Sequence, residues 1–206
     1  MKNKIICIGR QYGSGGREIG RLVAEKLGIP YYDRDLIDEA LRGTDLPMEQ
    51  MKKADEHALD PLPYERFYRG ENKRFYGMNA SEIMFSLQKD LIIKKAESES
   101  CVIIGRCADQ ILEDAGVGEV LSLFISAPIE DRMQRVMERE KIGAREASAL
   151  IRKIDKRRRK YYGYYTDKDW GKSSDYTLCI NSSEWKRDAL VQFICDVYNK
   201  LDEYRK

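Results

Sequence analysis

The sequence is poor in the residues that build metal centres and charge-relay sites. It holds one histidine, His57, so neither a zinc site nor a Ser-His triad is expected. Its five cysteines, Cys7, Cys101, Cys107, Cys179 and Cys195, are odd in number and form no C-x-x-C pair. Three of them lie in apolar runs, so they are expected as buried, reduced thiols and not as a disulfide frame. No apolar run could span a membrane, and "IICI" is too short for the core of a secretory leader, so a cytoplasmic protein without a membrane partner is expected. A strong charge bias is also missing. Lys and Arg number 37 against 35 Asp and Glu, a formal net charge of +2, which argues against a general nucleic-acid binder. No repeat or low-complexity segment interrupts the chain.

What is present is alternation. Short continuous apolar runs, "KIICI" (4–8), "IPYY" (29–32), "CVIIG" (101–105), "VLSLFISA" (120–127) and "YTLCI" (176–180), read as five strands. Between them fall helical patterns: Ile19, Leu22, Val23 and Leu27; Leu36, Ile37, Ala40 and Leu41; Ile83, Leu87 and Leu91 behind an Asn79 or Ser81 cap; and residues 108–115. Further helices are marked by Ile129 to Met137, by Ala147 to Ile154 beyond a break near Gly143, and by Trp185 to Leu201. Apolar strands separated by helices specify an α/β fold with a parallel sheet covered on both faces. At 206 residues one domain is expected. Residues 43–78, with Pro47, Pro61, Pro63, Tyr64, Phe67, Tyr68, Phe75 and Tyr76, break the pattern and read as an insertion with short helices.

The stretch "GRQYGSGGREIG" (9–20) follows the first strand and opens the first helix, the context in which backbone N–H groups and a helix N-terminus face a phosphate. The usual phosphate-loop pattern, G-x-x-x-x-G-K-[ST], does not fit in either register. With its second glycine on Gly15, its first falls on Arg10, its lysine on Gly16 and its hydroxyl on Arg17; shifted by one, the lysine becomes Arg17 and the hydroxyl Glu18. A plain βα turn needs one or two glycines, whereas Gly13, Gly15 and Gly16 together suggest close backbone approach to a ligand. Arg17 is the candidate to replace the lysine, because a guanidinium can bridge two phosphate oxygens; a solvated arginine in the first helical turn is the plainer alternative.

"RQYGSGGREIGRLVAEKLGIPYYDRDLI", "CVIIGRCADQIL", "FISAPIEDRMQR", "IDKRRRKYYGYYTDKDWG" and "YTLCINSS" together resemble the cytidylate kinase-like family, relatives of cytidylate kinase among the nucleoside monophosphate kinases. The resemblance spans nearly the whole chain. It implies a P-loop fold with a five-stranded parallel sheet in the order 2-3-1-4-5, an acceptor-binding insertion over 34–98 and a lid over about 139–160. It further implies transfer of the ATP γ-phosphoryl group to CMP or dCMP, with Mg2+ as cofactor and small-molecule nucleotides as partners.

Residue by residue, the resemblance and the chemistry assign Gly13, Ser14, Gly15, Gly16, Arg17, Glu18, Arg139 and Asn181 to ATP. Asp33, Arg34, Arg106, Asp109, Asp155 and Arg158 go to the acceptor. Arg17, Arg139 and Arg158 are the catalytic cations, and Ser14 and Asp33 are candidates for magnesium. Several have a plainer alternative: Glu18 and Asp109 as helix-N-terminal charges, Asp33 as an N-cap, Asn181 as a helix or turn cap. Relatives carry Asp-Thr-Gly or Asp-Ser-Gly where this chain has Asp33, Arg34 and Asp35, and the arginine that follows there has no counterpart. Of Arg132, Arg135 and Arg139, which share a helical side, Arg132 is expected on a solvated or salt-bridged face beside Glu130, Asp131 and Glu138, and Arg139, with Arg145 beyond it, in the lid. The basic stretch 152–160, flanked by tyrosines, leaves a nucleic-acid module open, and the altered glycine loop leaves open a nucleotide sensor that does not transfer.

Overall fold

The computed structural model describes residues 2–33, 35–42, 44, 46, 68–70 and 72–204. His57, Arg34, Pro47, Pro61, Pro63, Tyr64 and Phe67 lie outside the described residues. Five strands, β1 (Lys4–Arg10), β2 (Tyr31–Tyr32), β3 (Cys101–Ile104), β4 (Glu119–Ser126) and β5 (Leu178–Asn181), form one parallel sheet in the order β2-β3-β1-β4-β5. The helices are α1 (Gly16–Leu27), α2 (Asp35–Leu41), α3 (Ala80–Ser98), α4 (Ala108–Ala115), α5 (Ile129–Glu140), α6 (Ala144–Thr166), α7 (Arg187–Asn199) and the short α8 (Leu201–Tyr204).

The apolar runs sort themselves by the two-residue period of a strand. Ile6 and Ile8 of β1, with Val102 and Ile104 of β3, face a core closed by α1 and α7. Ile5 and Cys7, with Cys101 and Ile103, face the opposite core under α3 and α4. Ile8 sits in register with both Ile104 and Leu123, so the centre of the sheet is a belt of aliphatic side chains fully shut off from solvent. α1 ends where Gly28 turns left-handed at φ 66°, and α3 begins with a capping box between Asn79 and Glu82, so Asn79, not Ser81, is the cap.

Three expectations need correction. Cys179 is exposed, not buried: β5 is an edge strand, Leu178 and Ile180 turn towards α7, and Cys179 alternates away from that core. The other four cysteines are buried and all five are free thiols. Trp185 precedes the last long helix, 42% exposed and stacked on Phe193 at 5.3 Å. β2 is reduced to Tyr31 and Tyr32, since Pro30 cannot donate to a ladder. No helix among the described residues is long and apolar enough to cross a membrane.

Candidate active site

The glycine loop joins β1 to α1 with Gly13 and Gly15 both at φ 80°. Gly15 is the N-cap of α1, and no side chain caps that helix. This start fixes the register left open by the sequence: Gly16 stands where a phosphate loop carries lysine, and Arg17 where it carries the hydroxyl. Gly13 is required by packing as well as conformation. A β-carbon there would lie 2.9 Å from the carbonyl oxygen of Arg132 and 3.0 Å from Cγ2 of Val136, so α5 presses against the loop.

Several tethers hold the loop open. Gln11 bonds to both sides of the end of β4: its N–H donates to the Ile125 carbonyl at 3.0 Å and its Oε1 accepts from the Ala127 N–H at 3.1 Å. The Ser182 hydroxyl donates to the Ser14 carbonyl at 2.7 Å, joining the end of β5 to the loop. The Tyr12 N–H donates to Oδ1 of Asp155 at 2.8 Å, while Oδ2 of Asp155 receives Nη1 of Arg132 at 2.6 Å. Arg132 is therefore not on a solvated helix face: it is 8% exposed and paired across to α6, because α5 and α6 pack on each other here. Both oxygens of Asp155 are committed to this scaffold. Arg135 donates to the Gly13 carbonyl and to Ser183 from the same side.

Beside the loop, at the carboxyl ends of β1, β2 and β3, lies a cavity of about 450 Å³, a size suited to a small ligand and at the edge of a parallel sheet where ligands gather. Arg10, Arg106, Arg157 and Arg158 line it together with Asp33 and Asp109. Its aromatic wall is Tyr12, Tyr161, Tyr162, Trp170 and Tyr176. Arg106 enters through a strained turn, for Gly105, Arg106 and Cys107 are successively left-handed at φ 71°, 61° and 55°. Two consecutive non-glycine residues in that region are costly and mark a place where side-chain position outweighs backbone comfort. Asp109 accepts from the Tyr162 hydroxyl at 2.9 Å, and burial pushes its carboxyl above the usual range.

Asp33, 3% exposed, meets Nε of Arg17 at 2.5 Å and Nη2 of Arg10 at 3.7 Å. Burial, then the neighbouring Arg158, draws the Arg10 guanidinium down to about 9; Asp33 pulls the other way and Arg106 adds to the lowering. Arg158 donates to the Arg10 carbonyl at 2.8 Å and lies 5.7 Å from the centre of the Tyr12 ring, which Arg139 also approaches at 4.9 Å. Arg139 pairs with its neighbour Glu140, and Arg145 is exposed at the start of α6. Glu18 pairs with Arg187 at 2.6 Å. Asn181 caps a turn, its Oδ1 accepting from the Ser183 N–H at 3.1 Å.

The donor set does not fit a magnesium ion held by side chains. The Ser14 hydroxyl is fully buried, donating to the Gln11 carbonyl at 2.8 Å and facing the Gly16 N–H. Asp33 is the loop's neighbouring carboxylate and is taken up by guanidinium groups. No cluster of three potential ligands occurs among the described residues. The structure thus brings Asp33, Arg106, Asp109 and Arg158 into one cavity, keeps Arg17 at its margin through Asp33, and leaves Glu18, Asn181 and Asp155 with structural partners. Sequence reasoning missed Arg10, Tyr12 and Arg157. The one signal for Arg10 was its exchange of places with a motif glycine.

The comparisons agree with this geometry. A model of the cytidylate kinase-like family matches residues 5–184. The cytidylate kinase of Pyrococcus horikoshii is 31% identical over 110 residues, 53% of this chain and 55% of that protein, so the match spans about half the length of this curated relative. The solved structure of an uncharacterized protein from Eubacterium ventriosum is 30% identical, with a TM-score of 0.71 over 96% of this chain and 99% of its own. Shikimate kinase from Bacteroides thetaiotaomicron, 16% identical with a TM-score of 0.54 over 96% of this chain and 98% of its own, shares the fold. A glycine loop between β1 and α1, the 2-3-1-4-5 sheet and a family match over most of the chain lead to one conclusion: the chain belongs to the cytidylate kinase-like family, with the P-loop kinase fold.

Proposed function

We propose that the chain is an ATP-dependent nucleoside monophosphate kinase that phosphorylates CMP or dCMP. The observation that carries this reading is the cavity beside the glycine loop, lined by four arginines, by Asp33 and Asp109, and by an aromatic wall on which a base can stack. ATP would lay its phosphates over the N–H groups of residues 13–17, at the N-terminus of α1. Residues 34–98, of which 34, 43, 45, 47–67 and 71 lie outside the described residues, would serve the acceptor, and residues 139–160, the end of α5 and most of α6, would serve as the lid.

The chemistry asked of the protein is modest. An acceptor phosphate oxygen is already ionised near neutral pH, so no strong base is needed; the burden is to align two anions and neutralise the charge spreading between them. Arg106 and Arg158 suit the acceptor phosphate. Arg17 and Arg139, at the loop side, suit the transferred group. Asp109 can accept from an exocyclic amino group such as that of cytosine. Magnesium, when it accompanies ATP, supplies further neutralisation and would be held by the phosphates themselves.

The test is an assay of ADP formation from ATP and magnesium with each common nucleoside monophosphate in turn. CMP and dCMP are expected to exceed UMP, and these to exceed AMP and GMP. ATP binding with no ADP formed from any monophosphate would replace the kinase reading by a nucleotide sensor. Arg17→Ala is expected to weaken ATP binding or turnover about tenfold, the scale of one charge-assisted contact; unchanged ATP kinetics would remove Arg17 from the donor site.

The basic stretch 152–160 fits this reading better than a nucleic-acid surface. Its Arg157 and Arg158 line the cavity and Asp155 is buried in the loop scaffold, which leaves a broken stripe of exposed Arg and Lys on α6.

A further inference from the structure

We infer that Arg10 grips the phosphate group of the ligand in the cavity together with Arg106 and Arg158. This rests on the cavity being the seat of a phosphorylated acceptor.

Two glycines clear the path of Arg10. A β-carbon on Gly16, the motif's lysine position, would lie 2.7 Å from Cβ and 3.4 Å from Cγ of Arg10. The space through which a lysine at 16 would leave the helix is thus filled by the stem of Arg10. At the other end, a β-carbon on Gly105 would collide with Nη1 of Arg10. Gly105 also needs its left-handed φ of 71° for the turn that delivers Arg106. The arginine at the motif's first glycine and the glycine at its lysine are one exchange: the charge moves from α1 to the end of β1, and its reach changes from the loop to the cavity.

The charge arrives undercompensated. The Arg10 side chain is only 19% exposed, and its Nε is enclosed without a hydrogen-bond partner. Among the described residues its ion-pair partner is Asp33, which stands at 3.7 Å and is held more tightly by Arg17. The cavity lining carries four arginines and two aspartates. A phosphate monoester brings about −1.5 to −2 at neutral pH and three acceptor oxygens. A buried guanidinium that protein groups leave unsatisfied is costly unless a ligand completes it, and a planar fork suits a tetrahedral anion.

Binding, not only turnover, tests this. Inorganic phosphate should raise the melting temperature of the wild type and lose that effect in Arg10→Ala. By calorimetry, Arg10→Ala should weaken CMP about thirtyfold while leaving cytidine, which has no phosphate, and ATP near their wild-type affinities. Unchanged CMP and phosphate binding in Arg10→Ala overturns the assignment, and wild-type turnover of CMP would then leave the kinase reading standing. Phosphate protection that needs Arg10, in a protein that converts no monophosphate, would sink the kinase reading and keep the Arg10 site.

Discussion

Asp155→Ala is expected to cost the fold about 3–5 kcal/mol, the scale for breaking a buried ion pair by removing one partner. The substitution strands two groups at once. Arg132, 8% exposed, loses the carboxylate that holds it at 2.6 Å, and the Tyr12 N–H loses its acceptor at 2.8 Å. α5 and α6 are joined by Lys141 to Gly143 and share a small apolar core of Val136, Ala147 and Ile151, so the pair adds a polar weld to a modest apolar contact. Urea denaturation of the single variants and of Arg132→Met with Asp155→Leu would measure it. The double variant should recover most of the stability, because two apolar groups can replace a buried pair at little cost. It should not recover ATP affinity, because the Tyr12 N–H stays without its acceptor at the entrance to the loop. A single-variant cost below about 1 kcal/mol, the range of a surface pair, would show that the bridge does not bear on the fold.

That bridge also marks the boundary of what the sequence discloses. The sheet was legible because its strands are short, apolar and rich in β-branched residues, and each is followed by a helical period. Those are local properties. The glycine loop and Arg106 were legible for the same reason, as each sits directly after a strand, where a parallel sheet gathers ligands. The salt bridge of Arg132 was expected but its partner and burial were not, because its sequence neighbours Glu130, Asp131 and Glu138 offer local partners, whereas its real partner lies 23 residues on. Arg10 was passed over because a residue pattern names a vacancy, the missing lysine, without showing which distant side chain enters it. Trp170 and Tyr176 reach the cavity from the segment between α6 and β5, and nothing in their periodicity announces that. The edge position of β5, which exposes Cys179, is a property of strand order and not of "YTLCI".

The strained turn after β3 makes Arg106 the residue whose removal should separate function from stability most cleanly. Arg106→Gly is expected to lower kcat/KM for the acceptor about 100-fold, while the melting temperature holds or rises. The loss follows from its place: Arg106 lines the cavity at the end of β3, and a charge-assisted, two-pronged contact to a phosphate is the strong kind of hydrogen bond. The stability effect has the opposite sign because φ is 61° at this position. A side chain in that region costs about 1–2 kcal/mol, and glycine does not bear that cost. A residue placed for packing would behave otherwise, since its truncation would lower stability together with activity. Arg106→Ala, which keeps the strain and removes the guanidinium, should show the same kinetic loss without the gain in stability. ATP affinity should be spared in both, because the donor is assigned to the loop on the other side of β1. Steady-state kinetics with acceptor and ATP varied in turn, alongside thermal denaturation of the three proteins, would decide it. Equal damage to ATP binding, or no damage to either substrate, would take Arg106 out of the acceptor site; a fall in melting temperature for Arg106→Gly would show that its side chain serves the fold.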